Sequence, residues 1–365
     1  MFRSRIKLLQ DSLVDHEIDG LLITSTYNIA YLTGIHAFSI EEREARIIIT
    51  KQDIYLFTDA RYTEMVKENA PFVKLVEISG ESPFLKLIVP ILKNENVNHL
   101  GFEEENISYK EAADLEEKLE EIEFIPTQDV IEDIRTVKDN DEVEKIRKAC
   151  HLTDKAFDYI IKELKPGVTE LEIKKELENF IRIEGEDLSF ESIVAYGKNA
   201  AIPHHLSTTA QLKSEDCILL DFGAKVDGYC SDMTRTIYIG KPSKDFVKMY
   251  TATKEAQEVA LDYLRTHMEK GFETKKAQEL ANSHLASCGY SKIPHALGHG
   301  VGLQVHENPV VSPYSEEGLI PGMVLTNEPG VYMPGIGGVR IEDTILITPS
   351  GIEVLTKSTK ELIVL

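Results

Sequence analysis

The dipeptide Asp227-Gly228 constrains this chain more than any other pair of residues. It separates the apolar run Ile218-Leu219-Leu220-Asp221-Phe222-Gly223 from a second run, Tyr229 to Ile239. Asp-Gly is a preferred pair for a two-residue hairpin loop, because both central residues take positive φ there. If these two residues form the loop, Asp232 stands opposite Gly223. Asp221 lies two residues from Gly223, on the same face, and is the diagonal neighbour of Asp232. Diagonal neighbours across an antiparallel pair lie roughly 7 Å apart or less. The alternative is that one of the two acids is merely solvated at the hairpin surface. However, Asp221 sits inside an apolar strand, where an unpaired carboxylate is costly. Two carboxylates at that separation can share a divalent cation, and this is the reading the hairpin favours.

Three further segments carry chemistry-bearing residues. In His295-Ala296-Leu297-Gly298-His299-Gly300-Val301-Gly302, followed by His306-Glu307, three His are interleaved with three Gly. His295 and His299 have the four-residue spacing of a helical metal site, but the glycines oppose a helix. They indicate close backbone approach, with imidazoles projected into a cleft. Glu328 closes an apolar strand in Gly322-Met323-Val324-Leu325-Thr326-Asn327-Glu328. Arg340 and Glu342 are two apart and are expected on one face of a strand, with Ile341, Ile345 and Ile347 on the other. A plain Arg-Glu surface pair is an equally good reading of that last segment alone. Together the segments offer two Asp, two Glu and a His on separate strands. Such an oxygen-rich set with one imidazole suits Mn²⁺, Co²⁺ or Zn²⁺, and so many carboxylates in one place require cations to neutralise them.

Charge narrows the partners. The formal net charge is −22, which repels phosphate backbones and anionic lipid, so neither nucleic acid nor membrane is expected as a partner. No apolar run approaches the ~20 residues of a membrane span. The N-terminus, Met1-Phe2-Arg3-Ser4-Arg5-Ile6-Lys7, lacks the apolar stretch of a signal peptide. Cys150, Cys217, Cys230 and Cys288 form no Cys-x-x-Cys pair and read as reduced thiols of a cytoplasmic protein.

The organisation reads as two domains. Residues 1–130 alternate helical and strand patterns, as in an α/β domain. A helix is expected over Arg3–Glu17, ended by Gly20, and strands over Leu21–Thr24, Arg46–Thr50 and Ile54–Thr58. Further helices are expected over Ala60–Asn69 and Pro83–Asn94. The pattern lapses near Pro126–Asn140, and a second domain is expected over 138–365. It opens with a helix from about Asp141, where Asp141 and Glu144 have capping-box spacing, to Leu164. Another helix follows from Thr169 to about Glu184. Two helix pairs, each followed by a hairpin, hint at a duplicated architecture.

These segments resemble the pita-bread metallopeptidases, within them the aminopeptidase P and prolidase group. The matching pieces are Asp221-Phe222-Gly223, Ser231-Asp232-Met233-Thr234-Arg235, His295 to Gly300, His306-Glu307, Glu328-Pro329-Gly330 and Arg340-Ile341-Glu342-Asp343. Ala201-Ile202-Pro203-His204 also matches, as do Asn28 to Gly34 and Thr58 to Tyr62 near the N-terminus. The resemblance implies an α/β N-terminal (creatinase-like) domain before an α+β pita-bread catalytic domain. It implies metal ligands at Asp221, Asp232, His299, Glu328 and Glu342, holding two divalent ions, with Mn²⁺ expected. Glu328 resembles the general base. His204 and His306 resemble residues that contact the substrate carbonyl and shuttle a proton; His205 beside His204 leaves that pair ambiguous. His295 resembles a substrate-positioning residue, Arg340 an Arg linked to the metal-site carboxylates, and Tyr332 a site-lining Tyr. A homodimer is implied as well.

The activity implied is hydrolysis of the Xaa-Pro bond, releasing the N-terminal residue from peptides with proline second. Such a bond offers no amide N–H for recognition, and a dimetal site does not need one. The main expectation is an Xaa-Pro aminopeptidase; the alternative is an Xaa-Pro dipeptidase, which would reward the dipeptide carboxylate with a cation. Arg43 or Arg46, in the charged stretch Glu41 to Arg46, are candidates for that clamp. Methionine aminopeptidase shares the metal set but normally lacks the first domain. Creatinase lacks the metal set, and a non-catalytic pita-bread binding module would have lost ligands that this chain retains.

Overall fold

The computed structural model describes residues 1–267, 274–315 and 318–365. The chain divides into two compact units, Met1–Arg135 and Thr136–Leu365. In the first, β1 (Gly20–Ile23), β2 (Ala45–Thr50), β3 (Ile54–Asp59), β4 (Lys74–Ile78), β5 (His99–Glu103) and β6 (Glu123–Thr127) form one sheet in the order β4-β3-β2-β1-β5-β6. Its helices are α1 (Phe2–Ser12), α2 (Thr26–Thr33), α3 (Thr63–Asn69), α4 (Phe84–Asn94), α5 (Tyr109–Lys118) and α6 (Val130–Thr136). Leu22, Ile48, Phe57 and Leu100 of the sheet pack with Phe84, Ile88 and Leu92 of α4. The first helix stops at Ser12 and Gly20 opens β1 instead of ending a helix. Val14, Asp15, His16 and Glu17 are all exposed, so a further turn would bury nothing.

The second unit carries α7 (Asn140–Ile160), α8 (Glu170–Glu184), α9 (Lys244–Thr266) and α10 (Thr274–Ser287). The cap of α7 lies two residues earlier than its sequence spacing indicates. Asp139 accepts from Asp141 and Glu142 N–H, and Glu142 bonds back, closing the capping box. Thr169 caps α8 in the same way with Glu172. The strands are β7 (Asp187–Leu188), β8 (Ile193–Tyr196), β9 (Asp216–Phe222), β10 (Ala224–Val226), β11 (Tyr229–Cys230) and β12 (Met233–Ile239). After the second helix pair come β13 (Gly298–Gly300), β14 (Glu307–Val311), β15 (Val324–Asn327), β16 (Gly330–Met333), β17 (Gly337–Arg340), β18 (Asp343–Thr348) and β19 (Gly351–Val354).

Two sheets frame the site, β12-β9-β8 and β14-β13-β15-β18-β19. Alternation along β9 sorts its side chains. Ile218, Leu220 and Phe222 pack with Phe157, Ile173 and Leu177 of α7 and α8. Cys217 and Leu219 join the core of α9 and α10. Asp221 shares the parity of Cys217 and Leu219, and so turns away from the α7–α8 core.

Candidate metal centre

The hairpin has the register expected from Asp227-Gly228. Val226 pairs Tyr229 and Lys225 pairs Cys230 around that two-residue loop, where Asp227 and Gly228 have φ of 50° and 79°. The ladder then breaks. A Cβ on Gly223 would lie 1.9 Å from the Ser231 carbonyl oxygen. Pairing resumes in the same register with Phe222 opposite Met233 and Asp221 opposite Thr234. The return strand is thus two short strands rather than one, and Asp232 sits in the gap between them. Its backbone is held there by Thr344 of β18, whose hydroxyl donates to the Asp232 carbonyl at 2.7 Å.

His299 lies on a strand, not a helix, and the glycines allow it. A Cβ on Gly298 would meet the Thr326 carbonyl at 2.0 Å, and one on Gly300 the Asn308 carbonyl at 2.1 Å. His299 Nδ1 lies 3.1 Å from the Gly300 carbonyl oxygen, to which only a protonated Nδ1 can donate. The neutral ring then points a bare Nε2 at Glu328 Oε1, 3.3 Å away, and Asp232 Oδ2, 3.6 Å away. A lone pair facing two carboxylates repels them unless a proton or a cation intervenes. Burial lowers the proton affinity of His299, but the facing Glu328 outweighs it and the net shift is upward.

Arg340 and Glu342 do not share a strand. Arg340 ends β17, and Glu342 lies in the break before β18. Both nevertheless reach one hydroxyl, because Glu342 N–H bonds the Thr234 carbonyl at 3.1 Å and draws the two segments together. Arg340 is no surface pair. Its guanidinium is buried and donates to Asp221 Oδ2, to Thr234 Oγ1 at 3.0 Å and to the Tyr332 hydroxyl at 3.0 Å. Tyr332 in turn meets His295 Nε2 at 2.9 Å, and His295 Nδ1 meets the Ala296 carbonyl at 2.8 Å. Burial first, aided by the charge of Arg340, holds His295 below its ordinary value, so the chain Arg340–Tyr332–His295 is built around a neutral imidazole.

The test of whether a cation fits is the state of the carboxylates. Asp221 Oδ1, Asp232 Oδ1 and Glu342 Oε1 are buried and have no hydrogen-bond partner. Burial, reinforced by neighbouring carboxylates, raises the pKa of all three groups, Asp232 and Glu342 most. Glu328 goes the other way: burial would raise it, but His299, His295 and Arg340 hold it down. Asp232, His299 and Glu342 bring ligand atoms within 4.8 Å of one another. Three orphaned carboxylate oxygens beside a bare imidazole nitrogen are what a divalent cation would satisfy, and among the described residues none of the three oxygens has another partner.

The second rank of residues is also in place. The His306 ring stands edge-on to His299 at 4.3 Å, and burial followed by the charge of His299 lowers its pKa. His204 is exposed and near enough to lower both His295 and His306. The adjacent His205 is structural: it is buried, with Nε2 2.9 Å from Glu170 Oε2. Glu170 is a residue the motif reading missed. It is fully buried, and it accepts from Tyr196 N–H at 2.9 Å, Asn199 at 2.8 Å, and Thr208 N–H and hydroxyl at 2.8 and 2.7 Å. Those residues flank His204, and Arg340 reaches the Pro203 carbonyl at 3.4 Å. A signal for Glu170 was present, since it falls on the buried stripe Ile173, Leu177, Ile181 of α8. Also missed was Lys138, which is buried against Glu307 at 2.7 Å next to His306.

A double sheet clasping buried carboxylates, a strand-borne imidazole and three further histidines defines a metal-dependent hydrolase. The profile of metallopeptidase family M24 matches residues 144–349, and that of the creatinase/prolidase N-terminal domain matches residues 5–137. This chain therefore belongs to metallopeptidase family M24, with the two-domain fold expected for its pita-bread members. It is 35% identical over 367 residues to an Xaa-Pro dipeptidase of Pyrococcus horikoshii, covering 100% of this chain and 99% of that protein. The solved Xaa-Pro dipeptidase from Bacillus anthracis superposes with a TM-score of 0.93 at 35% identity, covering 100% of both chains. The X-Pro aminopeptidase from Thermotoga maritima superposes with a TM-score of 0.86 at 31% identity, covering 96% of this chain and 98% of that one. Family membership implies divalent metal ions. Among the described residues no helix is long and apolar enough to cross a membrane.

Proposed function

We propose that this chain is an Xaa-Pro dipeptidase, which replaces aminopeptidase as the leading reading. Two full-length relatives from Pyrococcus species bear that name, as does the Bacillus anthracis structure. The observation that carries the chemistry is the set of orphaned oxygens on Asp221, Asp232 and Glu342 around His299 and Glu328. These five residues would hold two divalent ions, with Mn²⁺ the expected pair. When bound, such ions supply Lewis acidity, polarising a carbonyl and making water acidic near neutral pH.

The residues of the chain then have separable tasks. Glu328 takes a proton from the attacking water as its oxygen bonds to the carbonyl carbon. His204 and His306 donate to the oxygen that becomes negative. When the C–N bond breaks, the proline nitrogen must gain a proton, and Glu328 returns the one it took. Tyr332 and Arg340 fix the neutral His295 against the substrate, since each is already held by the others.

A second reading, the Xaa-Pro aminopeptidase, is favoured by one observation. A dipeptidase gains from a cation that receives the substrate carboxylate, and Arg340 is already engaged by Asp221, Thr234 and Tyr332. Arg43 and Arg46 are also committed within the first unit, both to Glu111 at 3.3 Å. The deciding experiment compares kcat/KM for Ala-Pro and Ala-Pro-Ala after reconstitution with Mn²⁺. An advantage of tenfold or more for the dipeptide, about 1.4 kcal/mol, is expected; the reverse order returns the aminopeptidase reading. The four cysteines, with no Cys-x-x-Cys pair among them, support a reducing, cytoplasmic setting. A homodimer, implied by the resemblance, belongs to the same proposal, and a monomeric mass at full activity would remove it.

A further inference from the structure

A second set of donor atoms converges between α9 and α10. The two helices meet along alanines, Ala252, Ala256 and Ala260 on one and Ala277 and Ala281 on the other, all in the same buried cluster. Such small contacts let the backbones approach closely, so longer side chains at the edge of the seam come together. Glu255 projects from α9. His284 lies in α10, and Cys288 follows one turn later, its N–H bonded to the His284 carbonyl at 3.1 Å. His284 Nε2 stands 3.1 Å from Glu255 Oε2 and 3.6 Å from Cys288 Sγ. All three donor atoms lie within 4.8 Å of one another, Glu255 exposed and the other two half-buried.

The geometry discriminates between two uses of a Cys, a His and a Glu. A proton relay needs the acid on one ring nitrogen and the thiol on the other. Here both partners meet the same nitrogen, Nε2, which presents either one proton or one lone pair and cannot serve both well. A single cation among the three atoms satisfies all of them. Around a tetrahedral Zn²⁺, with bonds of about 2.0–2.1 Å to nitrogen or oxygen and about 2.3 Å to sulfur, ligand atoms stand about 3.3–3.6 Å apart. The observed 3.1 and 3.6 Å need only small side-chain adjustments to match. Lys254 lies within electrostatic reach of Glu255 but is bonded to Glu361, and Lys248 lies over the Tyr290 ring. Among the described residues, the ion-pair partner of Glu255 is His284.

We propose that Glu255, His284 and Cys288 form a second metal site at the edge of the α9–α10 seam, for a borderline-soft divalent ion of which Zn²⁺ is the best fit. Thiolate and imidazole select against Mg²⁺ and Mn²⁺, which prefer oxygen. Three protein ligands leave a fourth position open to water. On binding, the Cys288 S–H bond breaks and an Sγ–metal bond forms. The proton leaves to solvent, so one H⁺ is released per ion bound by the neutral imidazole and the ionised carboxylate.

Cobalt separates this site from the carboxylate centre, because only a thiolate ligand produces the near-ultraviolet sulfur-to-cobalt charge-transfer band. The reduced, metal-stripped full-length protein is titrated with Co²⁺. The expected result is such a band, removed by added Zn²⁺, abolished in Cys288→Ser and weakened at least tenfold in apparent affinity in His284→Ala. Asp232→Asn, which alters the buried centre, is expected to leave the band unchanged. Zn²⁺ is also expected to slow alkylation of Cys288 at least tenfold in the wild-type protein and not in His284→Ala. Absence of the band, or a band that persists in Cys288→Ser, overturns the proposal. Both positions are half-buried, and Cys288 packs at the margin of the α9–α10 core, so unchanged thermal melting checks that the variants are folded.

Discussion

Thr234 Oγ1 donates to Glu342 Oε2 at 2.6 Å while accepting from Arg340 Nε at 3.0 Å. One hydroxyl thus orients a proposed metal-binding carboxylate and locks the arginine that pairs with Asp221. Its neighbour Arg235 points the opposite way. It is buried and bonds the Glu342 carbonyl, Asp343 Oδ1 at 2.7 Å and the Ser358 carbonyl at 2.7 Å. Successive residues of β12 therefore hold Glu342 by side chain and by backbone from the two faces of the strand.

Thr234→Val keeps the shape of the side chain and removes both bonds. Losing a hydrogen bond that orients a metal ligand typically costs 10–100-fold in metal affinity. Mn²⁺ titration calorimetry of the variant is expected to show a loss in that range. Affinity within a factor of two of wild type would mean that Glu342 is held adequately without Thr234.

Glu328→Gln retains the volume of the side chain and removes its basic oxygen. Turnover of Xaa-Pro substrates is expected to fall by well over tenfold, more than about 1.4 kcal/mol in barrier, while substrate binding partly survives. A rate within tenfold of wild type would place the base elsewhere.

Removal of the ions should make stability depend on pH with a definite sign. In the metal-free chain the folded-state pKa values of Asp221, Asp232 and Glu342 lie above their ordinary values of 3.8, 3.8 and 4.5, because burial and mutual repulsion disfavour the charged forms. A raised pKa contributes stability that is full below the unfolded value and lost as pH rises through the folded value. Within the centre Glu328, whose pKa is lowered, opposes this, and carboxylates elsewhere such as Asp343 and Glu170, also lowered, contribute with the opposite sign. The contribution of this centre to the stability of the chelated protein is therefore expected to fall as pH rises from about 4 toward neutrality, so Mn²⁺ should raise the melting temperature more at neutral pH than near pH 4. A rise on adding Mn²⁺ that is no larger at neutral pH would contradict the account.

Glu170 and His204 should behave as a coupled pair although they do not touch in the way His205 and Glu170 do. Glu170→Gln leaves buried donors of Tyr196, Asn199, His205 and Thr208 poorly matched, and about 1–3 kcal/mol of stability should go with them. If the carboxylate positions the His204 segment, kcat of the folded variant also falls, with little change in metal affinity. In a His204→Ala background the same substitution should lower kcat no further. Equal loss in both backgrounds would reduce Glu170 to a purely structural role.

The sequence by itself determined what is local. Asp227-Gly228 sets the hairpin register through two backbone conformations, and that register persists on both sides of the break that holds Asp232. The glycines around His299 likewise announced close backbone approach, because absence of a Cβ is legible in any context. What only the tertiary structure decided lies across long sequence separations. Thr234 reaches Glu342 over 108 residues, Arg340 reaches Asp221 over 119, and Asp232 is seated by Thr344 over 112. Nor could spacing tell His204 from His205, since that choice rests on Glu170, 35 residues earlier in the chain. Neighbouring residues in a strand or turn constrain each other through a few dihedrals. Distant hydrogen-bonding partners meet only after two sheets and four helices have buried their apolar faces, so their pairing is a property of the packed core, and short motifs do not encode it.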